Sequence, residues 1–396
     1  MPADLTPAHG LDASRAARKD EHVALALAQQ RRAAEPDASG AAGPGASPFA
    51  ELDFVHHALA GVDPERVDLG TTIAFAAGPG HAAGAWRWET PFYVNGMTGG
   101  TERTRRINRE LAIAARETGL PLACGSVSVA LDEPETAPGF TVIREENPDG
   151  FVMANVGVGR PADDARRAVE LLGANALQLH VNAVQETAMP EGSRDFSSWL
   201  RSVERLAAAS PVPVIVKEVG FGLSRGTLRR LAEIGIGIAD VSGRGGTDFL
   251  AIENARRPGR AGDLSILSGF GQSALACLLE AGAASGPAPV LLASGGVRSP
   301  FDVVKALAAG AAAVGVAGAF LAAVDPERPG GGAAALIALV EDWRDRTRAV
   351  YALLGARERG GLLATDLIVR GALREYCEAR GVDVRALATR SERAGA

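Results

Sequence analysis

The stretch Ala174-Asn175-Ala176-Leu177-Gln178-Leu179-His180-Val181-Asn182-Ala183-Val184-Gln185-Glu186 decides how the rest of the chain is read. Successive side chains of a β-strand alternate faces, so Leu177 and Leu179 take one side while Gln178, His180 and Asn182 share the other. An imidazole and a carboxamide then point the same way at the end of a strand. Gln185 and Glu186 follow where the chain must leave the sheet, and they add an amide and a carboxylate to the same rim. Taken singly, each of these residues reads as a capped or solvated polar group. Four of them within seven residues, between other unusual strand ends, read as a site.

Outward from this stretch, a short apolar run closing on Gly or a polar residue recurs, each time followed by a helical pattern. The runs are Pro91 to Gly96, Leu120 to Gly125, Phe151 to Gly157, Ala176 to His180, Val212 to Glu218, Gly237 to Ser242, Val290 to Gly295 and Ala312 to Gly318. Helix candidates lie between them: Thr101 to Thr118, Pro161 to Leu172, Ser197 to Ala209, Leu223 to Ile234, Gln272 to Ala281 and Pro300 to Ala309. Eight strands alternating with helices is the sequence form of a parallel (β/α)8 TIM barrel, an α/β fold. The doubly wound open sheet is the competing arrangement, disfavoured by the count and by the lack of a Gly-rich dinucleotide turn after the first strand.

Between the sixth and seventh strands lie roughly 45 residues, and a long loop on the catalytic face of a barrel is usually functional. Ahead of the barrel, residues 1–14 read as disordered, Ser14 to Arg32 as a helix capped by Ser14, and residues 33–48 as a mobile linker. Phe54 to Trp88 suggests short elements, and the adjacent His56 and His57 would point apart in a strand. After Ala333 the pattern is helical through Leu353, breaks at Gly, and resumes around Ala372 to Ala379. The expected organisation is an N-terminal arm and linker at 1–48, a barrel at 49–332 and a C-terminal helical segment at 333–396.

Of the 396 residues, 47% are hydrophobic and 22% charged, enough to bury a large core. The net charge of -6 leaves no basic footprint for nucleic acid and no polybasic membrane patch. No uninterrupted apolar run approaches the ~18 residues of a membrane span, and no signal-peptide core opens the chain. Cys124, Cys277 and Cys377 are far apart, in no zinc-binding spacing, which suits a reducing compartment. The expectation is a cytoplasmic protein. Lysine occurs only at 19, 217 and 305, against 38 arginines. Where Arg supplies plain positive charge, the remaining lysines are candidates for an ammonium with a tunable pKa.

In such a barrel the active site lies at the C-terminal ends of the strands. Gly295-Gly296 and Ala317-Gly318, at the seventh and eighth strand ends, let backbone N–H groups approach an anion at a short helix N-terminus, and Arg298 adds a fork of donors, making a phosphate site. With Thr98, Ser126, Asn155 and Lys217 around the rim, the ligand that fits is flavin mononucleotide (FMN) across the barrel mouth. Lys217, partly desolvated, would stabilise negative charge at the flavin N1–C2=O edge. Beside an anionic substrate, Glu186 suits Mg²⁺, which bridges one or two carboxylates to phosphate and keeps waters.

These motifs resemble the type 2, flavin-dependent isopentenyl-diphosphate isomerases. The resemblance runs through Arg18-Lys19 with His22, Met97-Thr98-Gly99-Gly100, Gly125-Ser126, Ala154-Asn155, His180-x-Asn182-x-x-Gln185-Glu186, Lys217-Glu218-Val219-Gly220, Asp240 to Thr247 and Ser294 to Arg298. Many members carry Gln-Arg after the Gly-Ser pair, where this chain has Val127-Ser128. The resemblance implies a 1,3-proton shift between isopentenyl and dimethylallyl diphosphate, with reduced FMN in proton transfer and NADPH only reducing the flavin. It assigns catalytic roles to Gln185, His180 and Lys217, and the homoallylic diphosphate to Arg18, Lys19, His22, His180, Asn182 and Gln185. Glu186 takes Mg²⁺, and Met97, Thr98, Gly99, Ser126, Asn155, Lys217, Ser242, Thr247, Gly295, Gly296, Arg298, Ala317 and Gly318 take FMN. It also implies a homo-oligomer, a tetramer or octamer. Two other classes stay open: a flavin oxidase of 2-hydroxy acids, which needs a His base and an Arg pair, and a non-catalytic flavin- or phosphate-binding protein.

Overall fold

The computed structural model describes residues 14–34, 47–97, 99–256 and 263–394, without the side chains of residues 14–18, 33, 34 and 394. The start that the sequence reads as disordered, most of the segment it reads as a linker, Thr98 and the Arg18 side chain therefore lie outside the described residues.

Three short strands come first, β1 (Leu52–Phe54), β2 (Thr71–Phe75) and β3 (Gly84–Trp88). The barrel follows as β4 (Phe92–Val94), β5 (Leu122–Ala123), β6 (Val152–Gly157), β7 (Ala176–His180), β8 (Val214–Lys217), β9 (Ile238–Asp240), β10 (Val290–Ser294) and β11 (Ala313–Val316). These eight strands pair in parallel, and β11 closes on β4, so the (β/α)8 barrel is the fold. All eight apolar runs contribute a strand, in order. β12 (Leu367–Val369) lies in the C-terminal segment and pairs antiparallel with β1, a contact that no local pattern announces.

Alternation along β7 works as its side chains require. Leu177 and Leu179 are fully buried against the helical layer, and burying a Leu stabilises the fold by roughly 1.5–3 kcal/mol. Ala176 and Gln178 face the barrel interior instead. The helix Glu102–Thr118 shows how the outer layer is cut to length. Thr101 and Thr104 form a reciprocal capping box, Ile107, Leu111 and Ala115 face inward, and Gly119 ends the helix in the left-handed region at φ 67°.

The hairpin β2–β3 plugs the N-terminal end of the barrel. Ile73 and Trp88 pack on Tyr93, Met153, Ala176, Ile215, Ile238 and Leu292, with Trp86 against Phe151 at 5.0 Å. Water is thereby excluded from one end, and the open end is left for polar side chains.

The arm and the long loop are both built into the fold. The arm helix, Ser14–Ala34, is seated on the barrel: Val23, Ala26 and Leu27 are buried. Polar latches add to this, with Thr101 donating to Asp20 at 2.6 Å and the Gln29 amide exchanging two hydrogen bonds with the Asp248 backbone. The long loop between β9 and β10 holds its own helix, Phe249–Ala255, capped by Asp248. Among the described residues no helix is long and apolar enough to cross a membrane.

Candidate active site

Above the apolar plug sits a polar tier built from strand interiors. Asp240 of β9 is fully buried and accepts from Tyr93 Oη at 3.0 Å, Asn95 Nδ2 at 3.2 Å, Ser294 Oγ at 2.9 Å and the Ser242 N–H at 3.0 Å. Asn155 donates to Gln178 Oε1 at 3.1 Å and faces His180 Nδ1 at 2.8 Å through its own carbonyl. Buried polar groups of this kind are tolerated only when each has a partner, and satisfied networks hold their members in one orientation.

The cavity above this tier has a volume of about 1140 Å³. Its wall takes in Lys19, His22, Met97, Ser126, Asn155, His180, Asn182, Gln185, Glu186, Lys217, Ser242, Thr247, Gly295, Gly296, Arg298, Ala317 and Gly318. Residues spread over some 300 positions, read from strand ends and from the arm, thus meet at one surface. Gly99 is the exception among the described residues: a Cβ there would stand 1.9 Å from the Phe140 ring, so it packs beneath Phe140 and not on the wall.

At the β9 and β10 ends two glycine loops interlock. A Cβ on Gly295 (φ 96°) would lie 1.9 Å from Gly243 O, and one on Gly246 would lie 2.8 Å from Gly296 N. Only bare backbone fits there, as a phosphate cradle requires. Ser242 holds φ 37°, the one non-glycine positive φ among the described residues, with its N–H on Asp240. The helix Gly318–Val324 begins without a side-chain cap, whereas Pro300–Ala308 is capped by Ser299 and carries Asp302 in its first turn. Asp302 accepts from the Arg298 N–H at 2.9 Å, and Arg298 Nη2 donates to Gly245 O at 3.1 Å. Arg298 therefore braces one loop against the other.

Burial and neighbouring charge set the protonation states. Burial, then the Lys217 and Lys19 charges, push His180 down to about 3. The imidazole is neutral, and pairing of Nδ1 with the Asn155 carbonyl assigns the proton to Nδ1 and leaves Nε2 an acceptor. Burial also lowers Lys217, against the pull of Asp240 and Glu218, and its Nζ donates to Glu218 O at 2.7 Å. The Glu218 carboxyl is raised by burial to about 7, although three backbone N–H groups of residues 219–221 stabilise its charge.

Gln185 and Glu186 sit on the short helix Ala183–Ala188 that follows β7. Asn182 Nδ2 reaches both Gln185 Oε1 and Glu186 Oε1 at 3.2 Å. Gln185 Nε2 donates to Glu253 Oε1 at 3.1 Å. Glu253 escaped the sequence reading. It lies on the helix of the long loop, fully buried, 3.1 Å from His22 Nε2 of the arm and paired with Arg256. Burial raises its carboxyl, but His22, Gln185 and Arg256 together hold it below the usual carboxylate range. The Asp248 cap and the i, i+3 pair Glu253–Arg256 were the local signals of a helix there.

Fold and cavity together describe a flavin-binding barrel. Residues 148–362 match the family of FMN-dependent dehydrogenases. Among solved structures, a mandelate oxidase with a monooxide FMN adduct aligns at TM-score 0.55 and 21% identity, covering 87% of this chain and 92% of that one. Another, with a C4a-OH-FMN adduct, aligns at TM-score 0.56 and 20% identity over 89% and 95%. These likenesses establish the fold.

Curated relatives match at higher identity. An isopentenyl-diphosphate delta-isomerase of Kitasatospora griseola is 49% identical over 96% of this chain and 97% of its own length. Those of Nocardia farcinica and Staphylococcus haemolyticus are 50% and 41% identical, each over 94% of this chain and over 96% and 99% of their own. The chain belongs to the type 2, FMN-dependent isopentenyl-diphosphate delta-isomerase family.

Proposed function

We propose that this protein interconverts isopentenyl and dimethylallyl diphosphate by a 1,3-proton shift, with FMN in the reduced state, Mg²⁺ on the diphosphate and NADPH as reductant of the flavin. The observation that carries the reading is Gln185, whose amide is held in one orientation by Asn182 on its oxygen and Glu253 on its nitrogen, one residue from the Glu186 carboxylate. An alkene is a very weak base, so the group that exchanges its proton must be held close to the allylic unit, and a fixed amide suits the task of holding the alkene there while the Glu186 carboxylate is left for Mg²⁺.

The residues present fit the groups invoked. Bare backbone at Gly243, Gly245, Gly246, Gly295 and Gly296 suits the FMN phosphate. When bound and reduced, FMN supplies the acid–base atom that exchanges a proton with the alkene. Among the described residues no group of three or more His, Cys, Asp or Glu side chains is placed to hold a metal alone. One carboxylate completed by diphosphate oxygens and water is the donor set that Mg²⁺ favours. Lys19 and Asn182 would bind the diphosphate and His180 orient it as a neutral imidazole, its ring fixed by Nδ1 on the Asn155 carbonyl. Gln185 would position the alkene, Lys217 would stabilise negative charge on the flavin edge, and Arg18 would add to the diphosphate clamp. The seated arm keeps water from the reacting carbons.

Oxidation of a 2-hydroxy acid is disfavoured. It needs a basic imidazole oriented by an anionic partner, whereas His180 faces an amide and is held at about 3. Anaerobic incubation of FMN-loaded protein with isopentenyl diphosphate, Mg²⁺ and NADPH should give dimethylallyl diphosphate. Flavin bleaching by 2-hydroxy acids with no allylic product would replace this reading.

A further inference from the structure

Arg194, in the loop after the helix Ala183–Ala188, has no part in the chemistry above. Its Nη1 donates to the carbonyl oxygens of Glu186 at 2.6 Å, Gly192 at 2.7 Å and Ser193 at 3.1 Å, and its Nη2 donates to Met189 O at 2.8 Å. No carboxylate of the described residues forms an ion pair with it. A guanidinium directed at four carbonyl groups of one loop holds that loop in a single shape, which a lysine ammonium cannot do with its compact set of donors.

The loop also closes from its other side. A Cβ on Gly192 would stand 2.0 Å from Glu186 O, so glycine alone lets the backbone fold back on Glu186. Between these two anchors the Ser193 N–H donates to Glu186 Oε2 at 2.8 Å, while Asn182 Nδ2 reaches Oε1 at 3.2 Å. The carboxylate is thus oriented by a backbone group whose own place depends on Arg194.

We propose that Arg194 is a positioning residue for divalent-cation binding. By closing the ring from Glu186 to Ser193 it keeps the Ser193 N–H on one carboxylate oxygen and aims the Glu186 carboxylate into the cavity. A pre-oriented ligand binds a cation more tightly because its side chain is not ordered at the moment of binding. The inference rests on Glu186 as the Mg²⁺ ligand and adds what sets its affinity.

Mn²⁺ serves as the probe, its binding to FMN-loaded protein in inorganic diphosphate followed by the paramagnetic resonance of the free ion. Arg194→Lys keeps the charge but loses the fork, and Gly192→Ala breaks the ring without altering charge. Each should weaken Mn²⁺ binding about tenfold, and raise the Mg²⁺ needed for half-maximal turnover by the same factor. Flavin content, which checks the fold, should not change, and KM for the diphosphate at saturating Mg²⁺ should move by less than about twofold. Unchanged Mn²⁺ affinity in both flavin-loaded variants overturns the proposal. Glu186→Gln, measured alongside, separates the two ways of failing. If it too leaves Mn²⁺ affinity unchanged, the metal assignment falls and this inference with it; if it alone weakens binding, only the role of Arg194 falls.

Discussion

Replacing Glu253 by Gln tests the arrangement of the site most directly, because the change is isosteric and removes one buried charge. Glu253 accepts from Gln185 Nε2 at 3.1 Å and pairs with the Arg256 guanidinium, with His22 Nε2 3.1 Å from its Oε1. A glutamine in its place satisfies fewer of them and points its own NH₂ at a donor. Taking away one partner of a buried ion pair costs ~3–5 kcal/mol, and Arg256 and His22 retain some solvent access, so a loss near ~3 kcal/mol is expected. At about 1 °C per kcal/mol for a chain of this size, the melting temperature should fall by roughly 3–4 °C.

The effect on turnover follows separately. With Glu253 charged, only the Gln185 orientation that donates from Nε2 is favourable. A hydrogen bond to a charged group contributes ~1.5–3 kcal/mol, so losing this restraint corresponds to roughly 10- to 150-fold in rate. The assay is single-turnover conversion of isopentenyl diphosphate by anaerobic enzyme whose flavin is chemically reduced, which removes the nicotinamide step. A flavin-loaded variant turning over within twofold of the parent would refute the claim that Glu253 orients Gln185.

Other outcomes are expected. For Glu218, burial puts the folded pKa near 7, above the unfolded value of 4.5. Its contribution to stability is therefore full below the unfolded pKa and lost as pH rises through the folded one, by up to ~3 kcal/mol. Glu218→Gln should raise the melting temperature at pH 8 and not at pH 4; equal shifts at both would count against the assignment. His180 runs the other way, since its folded pKa of about 3 lies below the ordinary 6.5. It weakens the fold as pH falls from 6.5 towards 3, by up to ~4–5 kcal/mol, and His180→Asn should flatten that limb of a stability-against-pH curve. Gly296→Ala places a Cβ 2.4 Å from Pro48 at φ 79°, and purified protein should lose FMN while keeping its helical circular dichroism; retained stoichiometric FMN would move the phosphate elsewhere. Truncation of residues 1–22 removes Lys19 and His22 but leaves Val23, Ala26 and Leu27, so flavin titration should be unchanged while kcat/KM drops roughly 10²-fold. An unaltered kcat/KM would make the arm a structural appendage.

What the chain discloses on its own is whatever depends on neighbours in sequence. β7 runs from Ala176 to His180 in the structure as in the alternation of its residues, because facing is set by backbone geometry two residues at a time. The helix Ala333–Leu353 likewise begins and ends where its composition changes. Strand order follows from eight such units, since parallel strands joined by helices close in sequence order. Most of the cavity wall was legible for the same reason: a residue at a barrel strand's C-terminal end has one place to go. The tertiary structure alone decided which groups meet across distance. Glu253 is 68 residues from Gln185 and joins it to an arm helix that precedes both. Asp240 collects donors from β4 and β10, and β1 finds β12 across the whole barrel. No periodicity encodes those meetings, because each partner is supplied only by the closed fold and the cost of burying the polar and charged groups is offset only where that partner stands; the protonation states of His180, Lys217 and Glu218 come from the same burial.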